Sequence, residues 1–110
     1  MKQYVIDELR PVDHQQVKTY LDQHFDRSDI GGIYRLPLDT ELLSPVQKAH
    51  QDCQPFYFAL ELEPNRLACE LLVRTKQLVR CDCMGYATRE QLVWLIDSMD
   101  AILEKLKIEI

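Results

Sequence analysis

The chain has 110 residues, of which 46% are apolar and 28% charged, with 13 basic against 18 acidic residues and a net charge of −5. That length and apolar content fit a single domain over residues 1–110 with a core of its own. The acidic balance argues against nucleic acid and anionic membrane as partners, since both repel excess negative charge.

The start of the chain carries Asp7 and Glu8 where a signal peptide needs an unbroken apolar stretch. No apolar run approaches the ~18 residues of a membrane span. A cytoplasmic location is expected, where thiols stay reduced, so Cys53, Cys69, Cys81 and Cys83 are expected as free thiols rather than a disulfide scaffold.

Residues 2–9 read as a strand, with Tyr4 and Ile6 alternating with Val5 and Asp7. A helix is predicted from Asp13 to Phe25. Asp13 and Gln16 fit a capping box, Val12 and Val17 a hydrophobic staple, and Val17, Tyr20, Leu21 and His24 an apolar stripe. Residues 26–32 have loop chemistry. Ile33–Leu36 reads as a short strand that Pro37 confines to an edge. Ser44, Pro45 and Gln47 open a second helix with a capping box and a proline at its first position, ending before Pro55.

Residues 56–63, 67–74 and 78–84 alternate as three strands, with a turn at Pro64-Asn65. Thr88 and Gln91 form a second capping box for a last helix to about Lys107. Its stripe is Leu92, Leu95, Ile96, Met99, Ile102, Leu103 and Leu106. The expected fold class is α+β: a three-stranded antiparallel meander with the long C-terminal helix packed on it and an N-terminal β-α-β unit.

Pairing across the first turn sets Leu62 opposite Leu67, Leu60 opposite Cys69, Phe58 opposite Leu71 and Phe56 opposite Val73, all on one face. A second turn around Lys76 leaves two registers, one with Cys69 opposite Cys83 and Glu70 opposite Asp82, the other with Cys69 opposite Cys81 and Glu70 opposite Arg80; the second is preferred, because opposite charges pair and like charges repel.

Two metal sets compete in this frame. His50-x-x-Cys53 and Cys81-x-Cys83 supply imidazole and thiolate ligands suited to zinc. The expected register, however, separates them by five to seven residues, roughly 16–23 Å at ~3.3 Å per residue. A strand would also hold Cys81 and Cys83 ~6–7 Å apart. Cys69, Cys81 and Cys83 share one face instead, as a thiol site for a soft metal such as zinc or as inert core residues. A Cys53 nucleophile paired with His50 is disfavoured, since a helix C-terminus opposes a thiolate. With no catalytic constellation in view, a non-enzyme is expected.

Trp94 falls opposite the apolar stripe of the last helix and reads as an interface anchor. Tyr57, Leu72 and Met84 make the second face of the meander semi-apolar. The tail Ile108-Glu109-Ile110 alternates as a strand would. The first functional reading is a small non-enzymatic cytosolic domain acting through protein–protein contacts with a partner or with itself as a homodimer. The alternative is a metal-binding or redox thiol protein using Cys69, Cys81 and Cys83, with His50 and Cys53 ranked behind.

Overall fold

The computed structural model describes residues 2–28, 31–75 and 81–109. The described strands are β1 (Gln3–Ile6), β2 (Asp26–Arg27), β3 (Ile33–Pro37), β4 (Phe56–Glu63), β5 (Arg66–Glu70), β6 (Leu72–Thr75) and β7 (Gly85–Tyr86). The helices are α1 (Pro11–His24), α2 (Pro45–Ala49) and α3 (Arg89–Lys105), with 3-10 turns at Thr40–Leu42 and Gln51–Cys53. The class is α+β, and every described strand pairing is antiparallel. Among the described residues no helix is long and apolar enough to cross a membrane.

The sheet order is β1-β5-β4-β3-β2, with β6 joined to β4 and β7 to β6. The β4–β5 hairpin is therefore clamped between β1 on one side and β3 on the other. This differs from an N-terminal β-α-β unit set beside a meander: β1 and β3 straddle the hairpin, and α1 connects them across it. Phe56, Phe58, Leu60 and Leu62 of β4 point to the core, as their strict alternation requires. Val17 and Leu21 of α1 and Leu95 and Met99 of α3 are fully buried in the same apolar cluster.

α1 begins at Pro11, two residues before the expected start. Proline suits the first helical position because its missing N–H has no partner there anyway. Asp13 becomes the acidic member of the capping box, accepting from the Arg10 backbone N–H at 3.1 Å and the Arg10 guanidinium at 3.0 Å. Val12 is exposed and forms no staple.

The first hairpin keeps the expected register at Leu62–Leu67 and Leu60–Cys69. Beyond it, Phe56 faces Thr75 and Tyr57 faces Arg74, a slip of two residues from the expected pairing of Phe56 with Val73. Leu71 absorbs the slip. Its N–H donates to the Lys2 carbonyl (2.9 Å) and its carbonyl accepts from the Ala87 N–H (2.8 Å). Because the slip is even, the faces are unchanged: Val73 and Thr75 stay buried while Leu72 and Arg74 do not.

The third strand is the larger correction. Of the expected strand over residues 78–84, residues 78–80 lie outside the described residues, and Cys81–Met84 form a turn. The strand is β7, with Leu72 opposite Tyr86 and Val73 opposite Gly85. The expected pairing of Cys69 with Cys81 would need a partner for Val73 eight residues earlier than Gly85. The pairing of Glu70 with Arg80 falls outside the described residues. Glu70 forms an ion pair with Arg74.

α2 and α3 start with the capping boxes that the sequence implies, Ser44/Gln47 and Thr88/Gln91. Both glutamines are buried, and the two boxes touch. The Gln91 Nε2 donates to Gln47 Oε1 (2.9 Å) and to the Leu42 carbonyl (2.9 Å). Gln47 Oε1 and Gln91 Oε1 accept from their own N-cap backbones, Ser44 at 2.9 Å and Thr88 at 3.0 Å. Each amide thus caps its own helix and one of them bolts the two helices together. Gln91 also joins the buried stripe of α3, which turns the buried arc towards Trp94.

The tail does not extend as a strand; its last residue, Ile110, lies outside the described residues. Lys107 adopts φ 59°, the Ile108 N–H donates to the Leu103 carbonyl (2.9 Å) and the Lys107 N–H to the Glu104 carbonyl (3.0 Å). This is a Schellman cap, with Ile108 buried as its apolar contact.

Two stability outcomes follow from these caps. Gln91→Glu keeps a good capping-box acceptor but aims a carboxylate at the Leu42 carbonyl and Gln47 Oε1. Urea denaturation should show a loss of about 2–4 kcal/mol, from a lost donor and unsatisfied buried acceptors. Lys107→Gly removes a left-handed strain and should gain about 0.5–1 kcal/mol. An unchanged or lowered denaturation midpoint for the glycine variant would contradict the Schellman assignment.

Candidate metal centre

His50 closes α2 and opens the 3-10 turn that ends at Cys53, whose N–H donates to the His50 carbonyl at 3.0 Å. Side chains at i and i+3 of a 3-10 turn eclipse one another. The imidazole and the Cys53 thiol are thus brought to one side. Proline at 55, after a cis Gln54–Pro55 bond, ends the turn and leads into β4 at Phe56.

Cys81 and Cys83 sit in a turn closed by the Met84 N–H on the Cys81 carbonyl (3.0 Å). A turn gathers side chains that a strand would hold apart, so the separation expected for a strand does not apply. The register of β7 supplies the rest. Extending the Val73–Gly85 pairing by two residues brings Cys83 level with Thr75, which faces Phe56. The two cysteines therefore arrive three residues from Cys53. The eight-residue displacement, roughly 26 Å at ~3.3 Å per residue, removes the separation that the expected register imposed.

The imidazole nitrogen and three sulfurs of His50, Cys53, Cys81 and Cys83 all lie within 4.8 Å of one another. The Cys81 sulfur is 3.1 Å from His50 Nδ1 and 3.9 Å from the Cys53 sulfur. Two sulfurs bound to a tetrahedral zinc at ~2.3 Å stand ~3.8 Å apart. The observed pair already has that spacing, and the remaining ligand atoms need to shift by about 1 Å. Three soft thiols and one imidazole are a donor set that fits zinc.

Cys83 is 3% exposed, while His50, Cys53 and Cys81 are half-buried. A cleft of ≈ 470 Å³ lined by Ala49–Cys53 opens onto the His50 and Cys53 side chains from solvent. The Cys83 backbone N–H, then the Cys83 and Cys53 thiols and the His50 charge, favour the Cys81 thiolate and lower its pKa to about 7. Burial, followed by its two cysteine neighbours, raises Cys83 to about 12. The cluster is thus built to carry negative charge on a solvent-reachable sulfur, with a second sulfur that ionises only if a cation compensates it.

Cys69, expected to share a site with Cys81 and Cys83, is not part of this cluster. It lies in β5, fully buried, with its thiol donating to the Glu70 carbonyl at 3.4 Å and its pKa raised by desolvation. Its expected neighbours left with the register. His50 and Cys53, ranked behind it, take its place. The signal that could have found them was the paired His-x-x-Cys and Cys-x-Cys spacing itself.

The residues read as partner contacts lie on both faces of the sheet, with Leu72 and Arg74 on the face of Tyr57 and Trp94 on the other. Trp94 is half-buried and its ring stacks on Phe58, centroids 6.2 Å apart, so the side chain packs within its own fold. Tyr57 lies on the opposite sheet face beneath the Arg35 guanidinium (5.7 Å to the ring centroid). It borders a second cavity of ≈ 350 Å³ with Ala59, Glu61, Glu70 and Arg74. Leu72 is half-buried opposite Tyr86, and Met84 closes the cysteine turn.

Comparison with protein-family models, curated proteins and solved structures finds no match to this chain.

The burial and charge of the thiols have a direct readout. In metal-free native protein, iodoacetamide should modify Cys81 first and Cys53 next, while Cys69 and Cys83 stay protected until the chain unfolds. The Cys81 rate should rise through pH 7, as its lowered pKa requires, and level off above pH 8. Mass mapping of the alkylated peptides checks the order. Equal reactivity of all four thiols would contradict the arrangement.

Proposed function

We propose that this chain is a zinc-binding protein in which His50, Cys53, Cys81 and Cys83 hold one ion. The observation that carries this reading is the convergence of four ligand atoms within 4.8 Å from two segments 28 residues apart. Without a cation, burial and the neighbouring Cys81 and Cys53 sulfurs oppose the ionisation of Cys83 that a four-ligand site needs. A divalent ion reverses that repulsion into attraction and releases the thiol protons.

Four protein ligands complete a tetrahedron, which is the form of structural rather than catalytic zinc. The role assigned to the ion is a cross-link. It ties the end of α2 to the turn before β7, two segments without a strand pairing between them among the described residues. Such a link works as a disulfide does, by restricting the unfolded chain, but suits a reducing compartment. The reading makes the protein a metal-stapled, non-enzymatic α+β module, and replaces the Cys69 set with a four-ligand one.

Purification in the presence of zinc followed by elemental analysis should return one ion per chain. At ~100-fold excess over Kd the ion should stabilise the fold by about 2.7 kcal/mol, a rise in Tm on the order of 10 °C that a chelator abolishes. Cys53→Ser and Cys81→Ser should lose the ion or bind it at least tenfold more weakly, whereas Cys69→Ala should keep it. A metal-free protein whose Tm ignores both zinc and chelator would end the proposal.

A further inference from the structure

We infer that this centre, taken as the zinc site proposed above, is also an oxidation site: a hydroperoxide converts Cys53 and Cys81 to a disulfide and expels the ion. Their sulfurs are 3.9 Å apart, so bond formation requires the two to close by roughly 1.9 Å, to a disulfide length of ~2.05 Å. Neither residue is in a strand ladder. Cys53 ends a 3-10 turn, and Cys81 begins the turn that Met84 closes. A shift of that size therefore breaks no strand pairing.

Access selects the same pair. The ≈ 470 Å³ cleft reaches Cys53 from solvent, and Cys81 is likewise half-buried. Cys83 is 3% exposed and Cys69 fully buried, so a dissolved oxidant meets neither directly. Cys81 and Cys83 are also separated by one residue, a ring too small for an unstrained disulfide.

The step balances with hydrogen peroxide as the oxidant. One thiolate sulfur of the pair attacks a peroxide oxygen; the O–O bond breaks and hydroxide leaves, giving a sulfenic acid. The second thiolate attacks that sulfur; the S–O bond breaks, a second hydroxide leaves and the S–S bond forms. Two electrons pass from the two sulfurs to the two peroxide oxygens. Zinc then retains only His50 and Cys83 of its four ligands, and Cys83 takes up a proton as the ion departs. Metal-bound and disulfide forms use the same two sulfurs and exclude one another, which makes occupancy of the site a function of oxidant level.

The test uses the full zinc-loaded chain, hydrogen peroxide and a chromogenic zinc chelator. Release of one zinc per chain should parallel the appearance of one disulfide, and a dithiol reductant with added zinc should restore the starting form. Trypsin cuts after Lys48, Arg66, Arg80 and Arg89, placing Cys53 and the Cys81–Cys83 pair on separate peptides. The expected product is those two peptides joined, with fragmentation assigning the link to Cys53–Cys81. Cys69→Ala should behave as the parent. Zinc retained under peroxide, or a product made only of other links or sulfinic acids, overturns the inference and leaves the zinc site standing. A chain that never binds zinc overturns both.

Discussion

The two-residue slip at Leu71 is the constraint on which the site depends. Leu71 spends its backbone groups on Lys2 and Ala87 instead of on β4. β1 thereby holds the strand on one side while the approach to α3 pulls on the other. An even slip preserves which side chains are buried, so it costs the core nothing. It does change where everything after it arrives. With Thr75 opposite Phe56, β6 reaches the end of the sheet near Cys53. β7 then pairs late in the sequence, at Gly85–Tyr86, and leaves Cys81–Met84 free to turn.

The other half of the site is positioned independently. α2 has only five residues, too few to hold a helix by backbone hydrogen bonds alone. Its direction comes from Gln47, which caps α2 and receives the Gln91 amide of α3. A buried amide pair with its partners satisfied is directional in a way that apolar packing is not. His50 and Cys53 inherit their place from that bond, while Cys81 and Cys83 inherit theirs from the sheet. The ligands thus come from two frames that meet at one end of the molecule.

Features that depend on a few neighbouring residues could be read directly from the chain. Ser44/Gln47 and Thr88/Gln91 cap the helices they announce, and the Leu62–Leu67 hairpin has the register that alternation demands. The α+β class follows from those elements. The slip could not be read, because periodicity is blind to an even shift: Val73 is a core residue in either register. The position of the third strand is hidden for a related reason. Alternation across Cys81, Cys83 and Gly85 looks the same in a turn as in a strand, and an acidic residue such as Glu70 can pair locally, here with Arg74, as readily as across strands. Trp94 lies nearer the buried arc than the apolar stripe alone implies, because a polar residue, Gln91, belongs to that arc.

Cys69 and Cys83 show why burial does not identify a ligand. Both are almost wholly inaccessible, and both thiols are held protonated by desolvation. Their surroundings differ. Beside Cys69, Glu70 further disfavours the thiolate, and the Cys69 hydrogen bond ends on a backbone carbonyl. Cys83 faces two other thiols, and its own backbone N–H supports the Cys81 thiolate. Adding a cation to the first environment would bury a charge with one soft ligand; adding it to the second would satisfy four groups at once. The free energy of a metal site lies in that mutual compensation. The distinction between a core cysteine and a ligand cysteine is therefore a property of the register that selects its neighbours, not of the residue or its depth.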